Sequence, residues 1–245
     1  MTRDCFCTGC IQKTQSNIVY GTKLWDSKTE VLLIRPSKCS GLDPSITSLL
    51  VGESPIDFAS SARDLGFLVT ANDLDLEAHV SQVCRNANYQ IRHISFIRDY
   101  LTVDATKTLV SVLVLSRLDF LNSLLCGCSK ALLEKLQVVQ NSAARLIFRV
   151  GMRAHVTPLR MALHWLPIEA RIKFKLAVPC YNFFTNQSPS YISSLLTRYS
   201  IGREGNRSES DSRRLRSFAL DVQTITFGHR AFSYCAPEIW NALPY

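Results

Sequence analysis

Between Arg149 and Leu176 the chain reads RVGMRAHVTPLRMALHWLPIEARIKFKL, the spacing of one helix ending, a proline-punctuated connector and a second helix beginning. Val156, Leu159, Leu163, Leu166, Ile168 and Ile172 supply apolar anchors, while Arg149, Arg153, Arg160, Arg171, Lys173 and Lys175 keep one side cationic. Trp165 lies between His164 and Leu166-Pro167, so the chain bends around the indole, and Pro167 suits the first turn of the next helix, where its missing N–H is no loss. The spacing predicts a hinge between helices with Trp165 buried in it. An ordinary helix-to-helix loop with a core tryptophan fits the same residues.

Working outward, helices dominate. Ser129-Lys130 opens one with Leu132, Leu136, Val139, Ala143, Leu146 and Val150 on a stripe and Lys130, Lys135, Gln137, Arg145 and Arg149 off it. Before it, Leu109–Leu115 is apolar all round, as in a buried helix, and Ser116–Gly127 (SRLDFLNSLLCG) continues the pattern until Gly127 ends it. Earlier still, Asn72 or Asp73 is placed to cap a long helix in which Leu76, Val80, Val83, Ala87, Ile91, Ile94 and Leu101 recur at three- and four-residue steps. Its other faces carry His79, Arg85, Arg92, His93 and Arg98, either a solvated surface or a phosphate-facing one, the histidines having no ligand spacing and read as surface residues. Downstream, Ile168–Phe184 reads as helix with an expected kink at Pro179, and Ser188-Pro189-Ser190 caps a short helix over Tyr191–Tyr199. Residues 202–216 are polar and read as mobile, before Phe227, Phe232, Tyr234 and Trp240 restore apolar content. There is no internal repeat.

The N-terminal part differs. Lys28–Ile34 (KTEVLLI) is a strand signal, Ile46–Val51 and Pro55–Phe58 flank a Gly52-Glu53-Ser54 turn as a hairpin, and Arg63–Val69 reads as one further strand. So little sheet cannot close over a core alone. The fold class expected is therefore mainly α, with a small N-terminal hairpin or sheet, a helical bundle and a helical or irregular C-terminal region.

Net charge is +8 over 245 residues, and the excess lies in the middle. Residues 76–199 hold 15 Lys and Arg against 6 Asp and Glu, whereas residues 1–75 hold 7 against 9. Such a basic helical segment suits a phosphate-bearing partner, because each neutralised phosphate releases counterions, although many basic domains bind none. Nine cysteines, six of them in or beside apolar sequence, read as free thiols of a reducing compartment. Cys5, Cys7 and Cys10 could offer three thiolates to zinc but lack a fourth ligand nearby, so no metal site is expected. No uncharged apolar run approaches the ~18 residues that span a bilayer, and the N-terminus has no hydrophobic signal region. An intracellular location, nucleus or cytoplasm, and no membrane partner are expected.

The usual nucleotide-binding, hydrolase and metalloprotease signatures are missing, and Glu77, Asp99, Asp104, Asp119, Glu134 and Glu169 read as caps or surface charges. However, DSKTEVLLI (Asp26–Ile34), ARDLGFLVT (Ala62–Thr70), SRLDFLNSLLCG (Ser116–Gly127), LEKLQVVQNSAARLI (Leu133–Ile147), HVTPLRMALHWLPIEARIKFKL (His155–Leu176), SPSYISSLL (Ser188–Leu196) and TFGHRAFSYCAPEIWNALP (Thr226–Pro244) occur in one order. In that order they resemble the end of the palm, the thumb and the C-terminal domain of the reverse transcriptase of LINE-type, non-LTR retrotransposons of the jockey-like kind.

The resemblance implies an RNA-directed DNA polymerase whose intact form uses Mg held by palm aspartates, including an Asp-Asp turn upstream of DSKTE. No adjacent Asp pair occurs in this sequence, so catalysis is not expected and no catalytic residue or cofactor is assigned. It implies that Lys28 matches the palm lysine assisting the incoming nucleotide's phosphates, and that Leu65 and Gly66 match the primer grip. It further implies a divergent leader at 1–24, read as a truncated or frameshifted start, palm and primer-grip strands at 25–72, and a thumb-like helical domain at 73–150. A C-terminal helical domain at 151–200, a mobile linker at 201–217 and an aromatic tail at 218–245 complete the division. Arg85, Arg92, Lys135, Arg145, Arg149 and Arg153 are the expected contacts to the backbone of an RNA or DNA duplex, and Trp165 and Trp240 the expected structural aromatics. The competing expectation is a helical protein-interaction domain without nucleic-acid binding; oligomeric state is not legible.

Overall fold

The computed structural model describes residues 31–32, 47–51, 54–70, 76–199, 214–216 and 230–243. It is mainly helical, with short strands confined to the N-terminal part, and divides into two compact units with the boundary between His79 and Val80.

In the first unit, β1 (Val31–Leu32) runs parallel to β3 (Ser54–Ala59), which pairs antiparallel with β2 (Ser48–Val51), Leu49 opposite Ile56. β4 (Ser61–Asp64) and β5 (Phe67–Thr70) form a separate antiparallel pair. The single strand expected over Arg63–Val69 is thus a hairpin. Leu65 (φ 47°) and Gly66 (φ 86°) both take positive φ, the two-residue geometry whose twist matches the flanking strands. Glycine adopts it freely; leucine does so at a steric cost of roughly 1 kcal/mol. His79, expected at the surface, is buried: its Nδ1 accepts the Leu68 N–H at 3.3 Å and its ring lies 4.0 Å from that of Phe67. A residue in register with the apolar face is covered whatever its polarity, provided a partner meets it.

The long helix α1 (Glu77–Ile97) begins at the boundary and buries Val80, Ala87 and Ile94. Its proposed cap residues lie outside the described residues. Thr102 caps α2 (Val103–Val110) by accepting the Ala105 N–H at 3.2 Å; a π-helical stretch, Ser111–Leu115, then leads into α3 (Ser116–Asp119). The helix does not continue to Gly127 as expected. It stops at Asp119 because Leu121 turns left-handed (φ 51°), and one 3-10 turn, Asn122–Leu125, follows.

Helix α4 (Lys130–Phe148) buries Leu136, Val139, Gln140, Ala143, Ala144 and Ile147, a stripe rotated from the expected one so that Ile147 rather than Leu146 faces the core. It ends at Arg149 (φ 53°), with Val150 N–H bonding Arg145 O at 3.2 Å and Arg149 N–H bonding Leu146 O at 3.4 Å, a Schellman pattern without glycine. The short α5 (Val156–Ala162) ends likewise: His164 is left-handed (φ 54°), and Trp165 N–H reaches Arg160 O at 2.9 Å. α6 (Ile168–Phe184) follows and contains Pro179 within one assigned helix.

The expected hinge is clamped. Gln140, fully buried on α4, donates to Leu166 O at 2.9 Å, and Gln137 accepts the first N–H of α6, from Ile168, at 3.0 Å. The second bond satisfies one of the N–H groups that a helix start leaves open, and the first fixes the connector just before it. Trp165 is only half-buried and Leu166 is exposed, so the indole is not the buried pin expected. Nor is the side of α6 a free cationic face: Arg171 grips Asp119 through both nitrogens, Lys175 donates to Asp119 O, and Lys173 pairs with Glu169 at 2.6 Å.

Beyond α7 (Ser190–Ser193), Arg198 pairs with Leu215 as an isolated β-bridge. Leu215 falls in the stretch expected to be mobile, yet it is buried with Cys180, Leu196 and Ala236, and Asn241 bonds both its N–H and its C=O. Trp240, on α8 (Phe232–Asn241), stacks on Phe184 at 5.3 Å against that cluster, the structural place assigned to it. Among the described residues no helix is long and apolar enough to cross a membrane.

Candidate nucleic-acid interface

Opposite the buried stripe of α1 lies a second one. Arg85, Tyr89, Arg92 and Phe96 follow one another at steps of four, three and four, which places them within about 60° of the circumference at 3.6 residues per turn. All four are exposed, Tyr89 at 58% and Phe96 at 72%. His93 bridges the aromatics, its ring 4.2 Å from Tyr89 and 6.5 Å from Phe96, and Tyr100 extends the exposed apolar surface past the helix end. An exposed run of large rings on a helix whose other face is already buried marks a contact surface.

Cations frame this stripe. Neither the Arg85 nor the Arg92 side chain is tied into a hydrogen bond or ion pair among the described residues. Lys135 is exposed on α4 and lies near enough to the Cys84 thiol of α1 to oppose the rise in its pKa caused by burial. Three of the six basic residues expected at phosphates therefore share one region.

The other three do not. Arg153 is exposed in the α4–α5 connector. Arg145 is half-buried and donates to Ala154 O at 3.2 Å, holding that connector against α4. Arg149 donates to Arg98 O at 2.7 Å and pairs with Asp99 at 3.4 Å. It lies past the helix end, and its left-handed backbone turns the side chain back toward α1. Arg145 and Arg149 are thus tied to backbone carbonyls, Arg149 while still exposed, a structural role that their positions off the apolar stripe do not reveal.

Arg98 explains why. Expected on a solvated face, it is 6% exposed and occupies the register of Ala87, Ile91 and Ile94. Its guanidinium donates to Leu146 O at 3.0 Å, Ile147 O at 2.6 Å and Leu101 O at 2.8 Å. It therefore caps the last carbonyls of α4, where the helix dipole favours a cation. Arg98 and Arg149 clasp the ends of α1 and α4 reciprocally.

Of the remaining assignments, Leu65 and Gly66 form the β4–β5 turn, with Leu65 80% exposed at its tip. Lys28 and Cys5, Cys7 and Cys10 lie outside the described residues. Among the described residues no group of three or more His, Cys, Asp or Glu side chains is placed to hold a metal.

Against protein-family models, curated proteins and solved structures, the chain finds no match. The geometry of α1 stands alone. What it can do chemically is bind: two exposed guanidiniums two helical turns apart, each followed four residues later on the same face by an exposed aromatic ring. Sequence reasoning singles out the arginines but not the aromatic members. The signal for those is the four-three-four spacing opposite the apolar stripe, legible once that stripe is placed.

Proposed function

We propose that this chain is the end-of-palm, thumb and C-terminal part of a non-LTR retrotransposon reverse transcriptase. In this reading it does not add nucleotides by itself, and it binds nucleic acid weakly and without sequence preference. The observation that carries the binding is the exposed Arg85–Tyr89–Arg92–Phe96 stripe of α1, flanked by Lys135. Guanidiniums at that spacing neutralise phosphates, and adjacent rings offer faces to bases, neither of which reads sequence. The order of the family-like segments supports the polymerase reading, and the lack of an adjacent Asp pair supports the absence of catalysis in this chain.

The test is a fluorescence-anisotropy titration of the purified chain against a labelled RNA–DNA hybrid at rising salt. Binding at ~50 mM salt that weakens steeply and equally for unrelated sequences is expected, with a log–log slope of about −0.9 per phosphate contact on duplex DNA. No binding at low salt refutes the proposal and favours a helical protein-interaction surface. Nucleotide incorporation by a homogeneous preparation refutes the absence of catalysis.

A further inference from the structure

A cleft of about 480 Å³ opens beside the 3-10 turn that precedes α4, and three cysteines line it: Cys126, Cys128 and Cys235. Cys126 leaves that turn with its N–H on Ser123 O at 3.2 Å, followed by Gly127 in a left-handed conformation (φ 72°). Cys235 enters from α8, buried, with its Sγ 3.9 Å from Arg230 O. The half-buried Cys126 and the buried Cys235 are neighbours, although 109 residues of sequence separate them (235 less 126).

The two thiols are not equivalent. The Cys235 side chain beside Cys126 holds the Cys126 pKa below the ordinary thiol value, helped by Lys173 and the Gly127 N–H and opposed by burial and by Glu238. The pKa of Cys235 is pushed up, first by Cys126 and then by burial. Cys126 is thus the more readily ionised thiol of the pair. Cys128, in the same cleft, is pushed the other way by burial, with its Sγ 3.8 Å from Ser129 O, and Cys180 is raised to about 12. Among the three cysteines that line the cleft, Cys126 is the one whose neighbours outweigh burial and favour the thiolate.

We propose that Cys126 is a peroxide-reactive thiol and Cys235 its resolving partner, so that the cleft holds a reversible modification site. The Cys126 thiolate attacks one oxygen of hydrogen peroxide; an S–O bond forms, the O–O bond breaks, and the departing hydroxide takes up the proton as water. That step removes the Cys126 thiolate, whose hydrogen bond and charge both raise the Cys235 pKa, so Cys235 ionises more readily although burial still opposes it. Its thiolate then attacks the Cys126 sulfur, the S–S bond forms, the S–O bond breaks, and a second water leaves. In sum, two thiols and one peroxide give one disulfide and two waters. The product staples the connector before α4 to α8.

The full chain, reduced and then treated with hydrogen peroxide, is digested without reductant and mapped by mass spectrometry. The peptide carrying Cys126 and Cys128 should appear joined to the peptide carrying Cys235, and reductant should separate them. In Cys128→Ser the link should persist; in Cys126→Ser it should vanish and leave Cys235 a free thiol. A link that survives Cys126→Ser overturns the assignment in favour of Cys128. Oxidation of Cys126 to the sulfinic acid with no link in the wild-type chain overturns the pairing. Far-UV circular dichroism of the variants before treatment shows whether the half-buried Cys126 site tolerates serine. Where it does not, Cys128→Ser alone decides: a persisting link upholds the pairing of Cys126 with Cys235, and a lost link overturns it.

Discussion

Replacing Arg98 by methionine keeps most of the side-chain volume and removes the guanidinium that bonds Leu101, Leu146 and Ile147 carbonyls at 2.8, 3.0 and 2.6 Å. Each charge-assisted bond contributes roughly 1.5–3 kcal/mol, and a buried carbonyl left unpaired costs roughly 1–3 kcal/mol. Water can reach the site from the side of exposed Tyr100 beside half-buried Leu101, so the Leu101 carbonyl recovers a partner and the Leu146 and Ile147 carbonyls carry the loss. The expected destabilisation is about 3–4 kcal/mol, a large fraction of the ~5–15 kcal/mol by which such a unit is stable. In a urea titration followed by far-UV circular dichroism, with a slope of roughly 2 kcal/mol per molar, the midpoint should fall by about 1.5–2 M with the slope unchanged. Arg92→Met, on the exposed face of the same helix, should change stability by less than ~0.5 kcal/mol. A loss below ~1 kcal/mol for Arg98→Met would refute the clasp between α1 and α4.

Trp165→Ala should cost about 1–2 kcal/mol, because a half-buried ring with a clamped backbone around it leaves less of a cavity than the 3–5 kcal/mol of a core aromatic, and a denaturant titration measures the difference. Leu65→Asn should raise stability by roughly 0.5–1 kcal/mol, since asparagine tolerates the left-handed turn that leucine occupies at φ 47°; a lower thermal midpoint would contradict this. His79 is held below its ordinary pKa of 6.5 by burial and by Arg63, so below that pH the unfolded chain binds its proton more readily than the folded one. Stability contributed by neutral His79 is therefore present above pH ~6.5 and lost as pH falls toward the folded-state value. Titrating the His79 ring by NMR should give a midpoint below 6.5.

Regular helices are legible in the sequence because their signals are local and redundant. α1 and α4 carry their apolar residues at three- and four-residue steps over five turns each, and a single polar residue does not disturb that period. Helix ends are legible in part: α6 runs over Ile168–Phe184 as read and α4 ends at Arg149, although Arg149, His164 and Asn186 adopt left-handed φ without the glycine that advertises it. The β4–β5 hairpin hides for a similar reason: Leu65-Gly66 sits inside an apolar run that reads as unbroken. Burial of charge is the other blind spot. Arg98 and His79 lie in apolar register, and only tertiary partners, the α4 carbonyls and the β5 backbone, make that burial tolerable. At the candidate interface Arg85 and Arg92 are readable from the helical wheel alone. The carbonyl bonds of Arg145 and Arg149 are not readable there, because a side chain off the stripe near a helix end can reach back to a neighbouring backbone.

The central claim is that the α1 face contacts phosphates, and it is tested most directly by Arg85→Gln/Arg92→Gln. Both side chains are exposed and glutamine is a good helix former, so the fold should be retained. In anisotropy titrations on duplex DNA from low to moderate salt, the double variant should bind all sequences more weakly, and the log–log salt slope should flatten by about two. Arg153→Gln, away from the stripe, should leave the slope unchanged. An unaltered affinity and slope in the double variant, with wild-type binding intact, would contradict the account and place the phosphate contacts elsewhere on the chain.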